Sequence, residues 1–332
     1  MPKTYHVAIV GATGAVGIEL LRVMERRDFP VADLRLLASP RSAGKNVEFR
    51  GRDFPVQALT QNSFATIDLA FFSAGAGTAK QFAPLAQKAG AVVIDNSSFF
   101  RMANEVPLII PEINPEDVRG HHGIIANPNC TTAVALMALY PLHRAFGLRR
   151  VFAASYQAVS GSGARAIEEL RRQVEAVASG GEVVREVYPH QIAFNLLPQV
   201  DSFLENGYTK EEMKLQSEGR KMMHLPDFRA SVTCVRVPVY RAHSIALSAE
   251  FERPVSVDAA RDVLAKAPGL DLIDEPVANR YPTPLGAAGK DNCQAGRLRL
   301  DCALENGLSL WVAGDQLLKG AALNAVQIAE LL

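Results

Sequence analysis

The chain opens with a short apolar run, His6–Val10, then glycines at positions 11, 14 and 17, then helix-spaced apolar residues through Ile18–Arg26. A strand, a glycine turn and a helix in that order begin a βαβ unit, and this constrains the fold more than any other feature. Further apolar runs follow at Leu34–Ala38, Ile67–Ser73 and Ala91–Asp95, with a helix-like stretch, Ala79–Ala89, between the last two. Strands and helices that alternate in this way predict an α/β domain with a doubly wound parallel sheet of the Rossmann type.

From Arg149 the texture changes. Val151–Ala158, Ala230–Pro238 and Ile245–Phe251 are longer, β-rich and partly alternating, and Leu298–Leu300 and Leu308–Val312 resemble them. Helical stretches lie between, at Ala164–Ala178 and Val257–Ala267. That pattern predicts an α+β domain with a mixed or antiparallel sheet. Lys319–Leu332 reads as an amphipathic helix, and the loop-rich stretch 180–207 as a surface or dimer-facing excursion. A chain of 332 residues with 48% hydrophobic content can bury two cores of ordinary size.

Lysine plus arginine and aspartate plus glutamate both number 35, so no strongly basic groove for nucleic acid is expected. No run of about 18 apolar residues predicts a membrane span, and the N-terminus does not read as a signal peptide. Four cysteines without a CxxC pair predict neither a disulfide framework nor a metal site. The expectation is a soluble cytoplasmic enzyme acting on a small molecule.

The spacing Gly11-x-x-Gly14-x-x-Gly17 between strand and helix suits a pyrophosphate, because the backbone can approach closely and helix N-terminal amides face the negative charge. An NAD site usually carries a carboxylate about 20 residues further on, for the ribose hydroxyl. Here the second strand runs instead into Ser39-Pro40-Arg41-Ser42, which suits a 2′-phosphate and hence NADP, although Arg41 taken alone also reads as a solvated loop charge. Ser73 ends another strand and leads into small residues that either approach a cofactor or form a tight turn. Cys130, in Asn-Pro-Asn-Cys-Thr-Thr, precedes the helical stretch Ala133–Ala145. A thiol near a helix N-terminus has its thiolate favoured and can hold an acyl group as a thioester. Cys293 and Cys302 read as buried, inert thiols.

Taken in order, VAIVGATGAVG (Val7–Gly17), ASPRSAGK (Ala38–Lys45), NSSFFRM (Asn96–Met102), NPNCTT (Asn127–Thr132), SYQAVSGSG (Ser155–Gly163), TCVRVPVYRAHS (Thr233–Ser244) and GAALNAVQIAELL (Gly320–Leu332) resemble the aspartate-β-semialdehyde dehydrogenase family over essentially the whole chain. The resemblance implies NADPH-dependent reductive dephosphorylation of L-aspartyl 4-phosphate through a thioester on Cys130. His243 is implied as acid/base, Gln157 as the residue orienting the acyl group, and Arg236 and Glu211 as substrate-binding. Glu211 also lies in a run that reads as an exposed helix start. Asn129 or the backbone amides beside Cys130 are expected at the acyl oxygen. Arg101 and Lys214 are implied at the phosphate. Thr13, Gly14, Ala15, Val16, Arg41, Ser42, Ser160, Gly161 and Gln316 are implied at the cofactor, together with Gly11 and Ser73. The implied domains are 1–130 completed by 315–332, and 131–314 for catalysis and dimerisation, with a homodimer as the usual assembly. Ser217-Glu218-Gly219-Arg220 departs from the family pattern and leaves the local helix there in question. The nearest competitor, N-acetyl-γ-glutamyl-phosphate reductase, carries glycine before its cysteine where this chain has Asn129. A redox-responsive regulator using Cys130 as a sensor is the alternative of a different class.

Overall fold

The computed structural model describes residues 3–332. The chain divides into two compact units: one runs up to Asn129 and adds Ala321–Leu332, and the other is Cys130–Gly320. Residues 315–320 therefore group with the second unit rather than the first. Asp315 explains this, since it is buried, pairs with Arg241 at 2.5 Å and accepts from the Gly289 amide.

The first unit begins with β1 (Tyr5–Val10), α1 (Ala15–Arg26), β2 (Val31–Ala38), β3 (Asn46–Phe49) and β4 (Arg52–Ala58). It continues with β5 (Leu69–Phe72), α2 (Ala76–Lys88), β6 (Val92–Asp95) and β7 (Ile124–Ala126). The sheet order is β3-β4-β2-β1-β5-β6-β7, parallel throughout except for the edge strand β3. β1 is central, pairing Val7 with Leu34 on one side and with Leu69 on the other. Apart from His6 it is buried, as a strand covered on both faces must be. Leu20, Leu21, Val23 and Met24 form the buried side of α1.

The C-terminal segment is not amphipathic. A π-helical turn (Leu318–Ala322) leads into a helix at Leu323–Ala329, and all but one of the residues of this helix are buried. A helix buried almost all round needs protein on several sides. This one packs on α1 and β6, and Arg27 of the α1 cap grips Glu330 through two hydrogen bonds of 2.7 and 2.6 Å.

The second unit comprises α3 (Cys130–Phe146), β8 (Leu148–Gln157), α4 (Ala164–Ser179), α5 (Lys210–Met222), β9 (Arg229–Arg236) and β10 (His243–Phe251). After these come α6 (Val257–Leu264), β11 (Leu270–Leu272), β12 (Cys293–Leu300) and β13 (Gly307–Gly314). Its sheet order is β11-β12-β13-β10-β8-β9, with two parallel pairs and three antiparallel ones, so it is mixed. The buried helix α3 lies against β8, β10 and β13. α5 is continuous through Ser217–Arg220. Gly219 is required there, because a Cβ would sit 2.9 Å from the Phe228 ring. Cys293 is buried, but Cys302 is exposed: it lies in the turn between β12 and β13 rather than on a packed strand.

Gly17 has a strict steric role. A Cβ there would lie 2.3 Å from the Gly11 carbonyl oxygen and 2.8 Å from Ala12 Cα. Gly17→Ala must lift α1 off the turn, and overpacking of this kind costs about 1–3 kcal/mol. Chemical denaturation should show that loss, and an unchanged midpoint would contradict this packing.

Candidate active site

Strand register gathers the polar groups of the second unit at one end of its sheet. Gln157, the last residue of β8, lies beside Arg236, the last of the parallel strand β9. On the other side of β8 the antiparallel β10 begins with His243, next to Ser244, which faces Tyr156. Cys130 is the first residue of α3, with no acidic residue in the first turn, so the positive end of the helix dipole there favours negative charge on Sγ. Its Sγ is 3.4 Å from His243 Nε2. Gly320 leaves the room: a Cβ there would approach Cys130 Cβ to 2.7 Å.

His243 is fully buried, and its Nδ1 accepts a 3.0 Å hydrogen bond from the Ala158 amide. That bond leaves the proton of the neutral ring on Nε2, facing sulfur. Burial, reinforced by the nearby Arg236 charge and opposed by Glu211, pushes the imidazole down to about 3, so the ring is neutral at working pH. The turn before it is strained. Ala242 has φ +72°, and Gln316 Oε1 accepts from its amide at 2.8 Å. The Gln316 amide nitrogen donates to Ser160 Oγ. Gln316 and Ser160, both expected at the cofactor, are thus buried and bonded to each other.

Arg236 is buried, and Nη1 donates to the Ala158 carbonyl at 2.7 Å. Its Nε has no hydrogen-bond partner, and no carboxylate among the described residues pairs with it. A buried guanidinium in that condition is costly unless an anion arrives. Gly161 abuts it: a Cβ would lie 2.9 Å from Arg236 Nη1 and 3.3 Å from His243 Nε2.

Glu211, on α5, is buried rather than exposed. Its Oε1 accepts from Gln157 Nε2 at 3.1 Å and from Thr131 Oγ1 at 3.5 Å, and its Oε2 meets Lys214 Nζ at 2.7 Å. Gln157 also donates to Thr131 Oγ1. Lys214 reaches Asp201 at 3.4 Å, so both carboxylates hold it.

The remaining candidates belong to the first unit. Arg101 is buried and donates to the carbonyls of Asn127 and Asn96, each at 2.9 Å. Asn129 is buried immediately before α3. Gly11 (φ +91°) turns the chain after β1, and a Cβ there would meet the Ser73 carbonyl oxygen at 2.8 Å. Gly14 caps α1, and no side chain satisfies the amides of Ala15, Val16 and their neighbours at this helix start. Thr13 Oγ1 lies 3.5 Å from Ser42 Oγ, and Arg41 is exposed in the turn after β2. These features fit a dinucleotide: unfilled helix amides suit phosphates, and a free cation stands at the end of the second strand. Among the described residues no cluster of His, Cys, Asp or Glu could hold a metal, and no helix is long and apolar enough to cross a membrane.

Thr131, Asp201, Gly320 and the Ala158 backbone are site residues that sequence reasoning missed. Thr131 and Ala158 had a signal, their places beside Cys130 and Gln157. The others are brought in by contacts distant in sequence.

The depressed titration of His243 has a stability consequence. The unfolded chain protonates this ring below about pH 6.5, whereas the folded ring resists down to about 3. Its contribution is therefore complete above pH 6.5 and is lost as pH falls, at about 1.4 kcal/mol per pH unit. Between pH 7 and 5 the protein should lose about 2 kcal/mol that His243→Asn does not lose. Parallel urea titrations at the two pH values measure it, and equal losses would refute it.

Comparison with known proteins identifies the family. Residues 6–121 match the semialdehyde dehydrogenase NAD binding domain, and residues 139–319 match the semialdehyde dehydrogenase dimerisation domain. The first unit is thus a nicotinamide-dinucleotide-binding domain. The chain is 51% identical to the aspartate-semialdehyde dehydrogenase of Synechocystis, covering 100% of this chain and 98% of the relative. It is 53% identical to that of Aquifex aeolicus, covering 99% and 98%. The crystal structure of Vibrio cholerae aspartate semialdehyde dehydrogenase II complexed with ASA superposes with a TM-score of 0.97 at 43% identity, covering 99% of this chain and 98% of that one. The chain belongs to the aspartate-semialdehyde dehydrogenase family.

Proposed function

We propose that the protein reductively dephosphorylates L-aspartyl 4-phosphate to L-aspartate 4-semialdehyde and phosphate with NADPH, a reaction of lysine, methionine and threonine biosynthesis in the cytoplasm. The observation that carries this reading is Cys130 Sγ at a helix start, 3.4 Å from a neutral histidine whose other nitrogen is already committed. The Sγ thiolate attacks the acyl carbon, the bond from that carbon to the phosphoryl oxygen breaks, inorganic phosphate leaves, and a thioester forms on Cys130. His243 Nε2–H donates toward sulfur at rest and toward the substrate oxygen as charge develops there, the role a neutral imidazole fills well. Asn129 and the α3 amides are further donors for that oxygen. When bound, the reduced nicotinamide supplies the hydride.

Arg236 binds the α-carboxylate, which meets the unpartnered Nε and relieves the buried charge. Glu211 receives the α-ammonium, and Gln157, fixed by Thr131 and Glu211, orients the acyl group. Lys214 holds phosphate by leaving one of its carboxylates; in the first unit, Arg101 is the cation that the family resemblance implies for phosphate. In the first unit Gly11, Thr13, Gly14, Ala15, Val16 and Ser73 shape the nucleotide site, and the family resemblance implies Ser160, Gly161 and Gln316 for the cofactor as well. The exposed Arg41 with Ser42, and the absence of a carboxylate from Ser39 to Lys45, support NADP over NAD. Four free thiols suit a reducing compartment.

In the assay direction the protein should reduce NADP in the presence of aspartate semialdehyde and phosphate, with NAD the poorer acceptor. Cys130→Ala should lower kcat by at least about 10³-fold. Turnover confined to the N-acetylglutamate analogue, or NADP binding without turnover, would overturn the reading.

We also infer a homodimer through the sheet face that α3 leaves open. Phe152 is 47% exposed and shares that face with Tyr156 and Trp311, whose rings lie 5.3 Å apart at a tilt of 40°, and the matched family domain is described as one of dimerisation. Sedimentation should give a dimer that Phe152→Asp weakens, and a monomeric wild type would refute the assignment.

A further inference from the structure

We propose that Glu169 and Gln173, one helical turn apart on α4, are positioning residues for substrate binding: they hold the 184–193 segment so that the Tyr188 ring lies over Arg236. The inference rests on the reading of Arg236 as the carboxylate anchor.

The buried stripe of α4 consists of Ala166, Glu169, Leu170 and Gln173. A glutamate and a glutamine, each only 1% exposed, occupy positions where an amphipathic helix ordinarily places apolar side chains. No cation among the described residues pairs with Glu169. Its carboxylate is satisfied by backbone instead: Oε2 accepts from the amides of Glu186 (2.9 Å) and Val187, and Oε1 accepts from that of Tyr188 (3.4 Å). Gln173 continues the pattern. Its Oε1 accepts from the amides of Ile192 (2.9 Å) and Ala193 (3.1 Å), and its Nε2 donates to the Val184 carbonyl (2.9 Å) and to Glu169 Oε1 (3.2 Å).

The segment so held contains no helix or strand, so its buried peptide groups have no ladder to satisfy them. The two side chains act as the missing strand. A carboxylate accepting several amides is the strong form of such a contact. Val187 and Tyr188 then pack on Val159, Leu170, Ile192 and Leu197. Tyr188, His190, Leu197 and Gln199 join Arg236 around a cavity of about 390 Å³. The Tyr188 ring centroid is 5.9 Å from Arg236 Cζ, within reach of a cation–π contact. One face of the guanidinium is thereby covered, and the buried, unpartnered Nε edge stays available for an anion. If the segment loosens, the ring leaves, and the guanidinium gains freedom that a carboxylate must then remove on binding.

The test is steady-state kinetics of the full-length enzyme with aspartate semialdehyde, phosphate and NADP. Glu169→Gln replaces one acceptor oxygen with a donor facing amides. It should raise KM for aspartate semialdehyde by about 10- to 100-fold, with kcat within about threefold and NADP affinity unchanged. Hydrogen exchange at the amides of residues 186–188 should speed up in the same variant. If that variant does not fold, Tyr188→Leu keeps the clamp and removes the ring; it should give the same selective rise in KM, whereas Tyr188→Phe should stay near wild type. Wild-type KM in both Glu169→Gln and Tyr188→Leu would overturn the inference. So would a parallel loss of kcat, NADP affinity and thermal stability without a selective change in KM, because that is what a merely structural role predicts. Arg236→Leu separates the two readings. If it leaves KM unchanged, the carboxylate-anchor reading itself fails. If it raises KM while the Glu169 and Tyr188 variants do not, only the present inference fails.

Discussion

The backbone of Ala158 ties the second unit's chemistry together. Its amide holds His243 Nδ1, and its carbonyl holds Arg236 Nη1. Because the first bond fixes the tautomer of a buried ring, it decides that a proton, not a lone pair, faces Cys130. The second sets the guanidinium against the same turn. Neither bond involves a side chain of Ala158, so both depend on β8 ending where it does, between β9 and β10. The strand register is thus what converts residues far apart in sequence into one site.

The site is also a balance of buried charge. Arg236 has no carboxylate partner, while Glu211 and Lys214 neutralise each other and engage Gln157, Thr131 and Asp201. An unpaired buried cation lowers the proton affinity of the neighbouring histidine and favours an incoming anion. Burial keeps His243 neutral, and Arg236 adds to that effect while preparing the pocket for a carboxylate. Elsewhere in the unit, buried carboxylates are matched by local partners: Asp315 by Arg241 and two amides, Glu169 by loop amides. Arg236 stands out against that background.

Much of the architecture was legible because periodicity reports burial. The run His6–Val10, the glycines after it and the apolar spacing of Ile18–Arg26 yield β1, its turn and α1, since a strand covered on both faces and a one-sided helix leave different patterns. The same reasoning failed at the C-terminus, where Lys319 and Asn324 suggested a polar face but are buried. Asn324 is accommodated by hydrogen bonds to Ile109 and Asn127, which composition does not encode. Glu211 shows the converse: in a charged run it reads as exposed, and long-range partners bury it.

The sequence by itself determined the two-part α/β organisation, the place of the thiol at a helix start and the family, because these depend on local pattern and ordered motifs. Only the tertiary structure decided which nitrogen of His243 faces sulfur, that Arg236 lacks a counter-ion, that Gln316 braces the strained Ala242 turn, and that Glu169 serves a loop. Each of these is a hydrogen bond or a missing partner between segments distant in the chain, and such pairings exist only once strand register and burial have brought the groups within about 3 Å of one another.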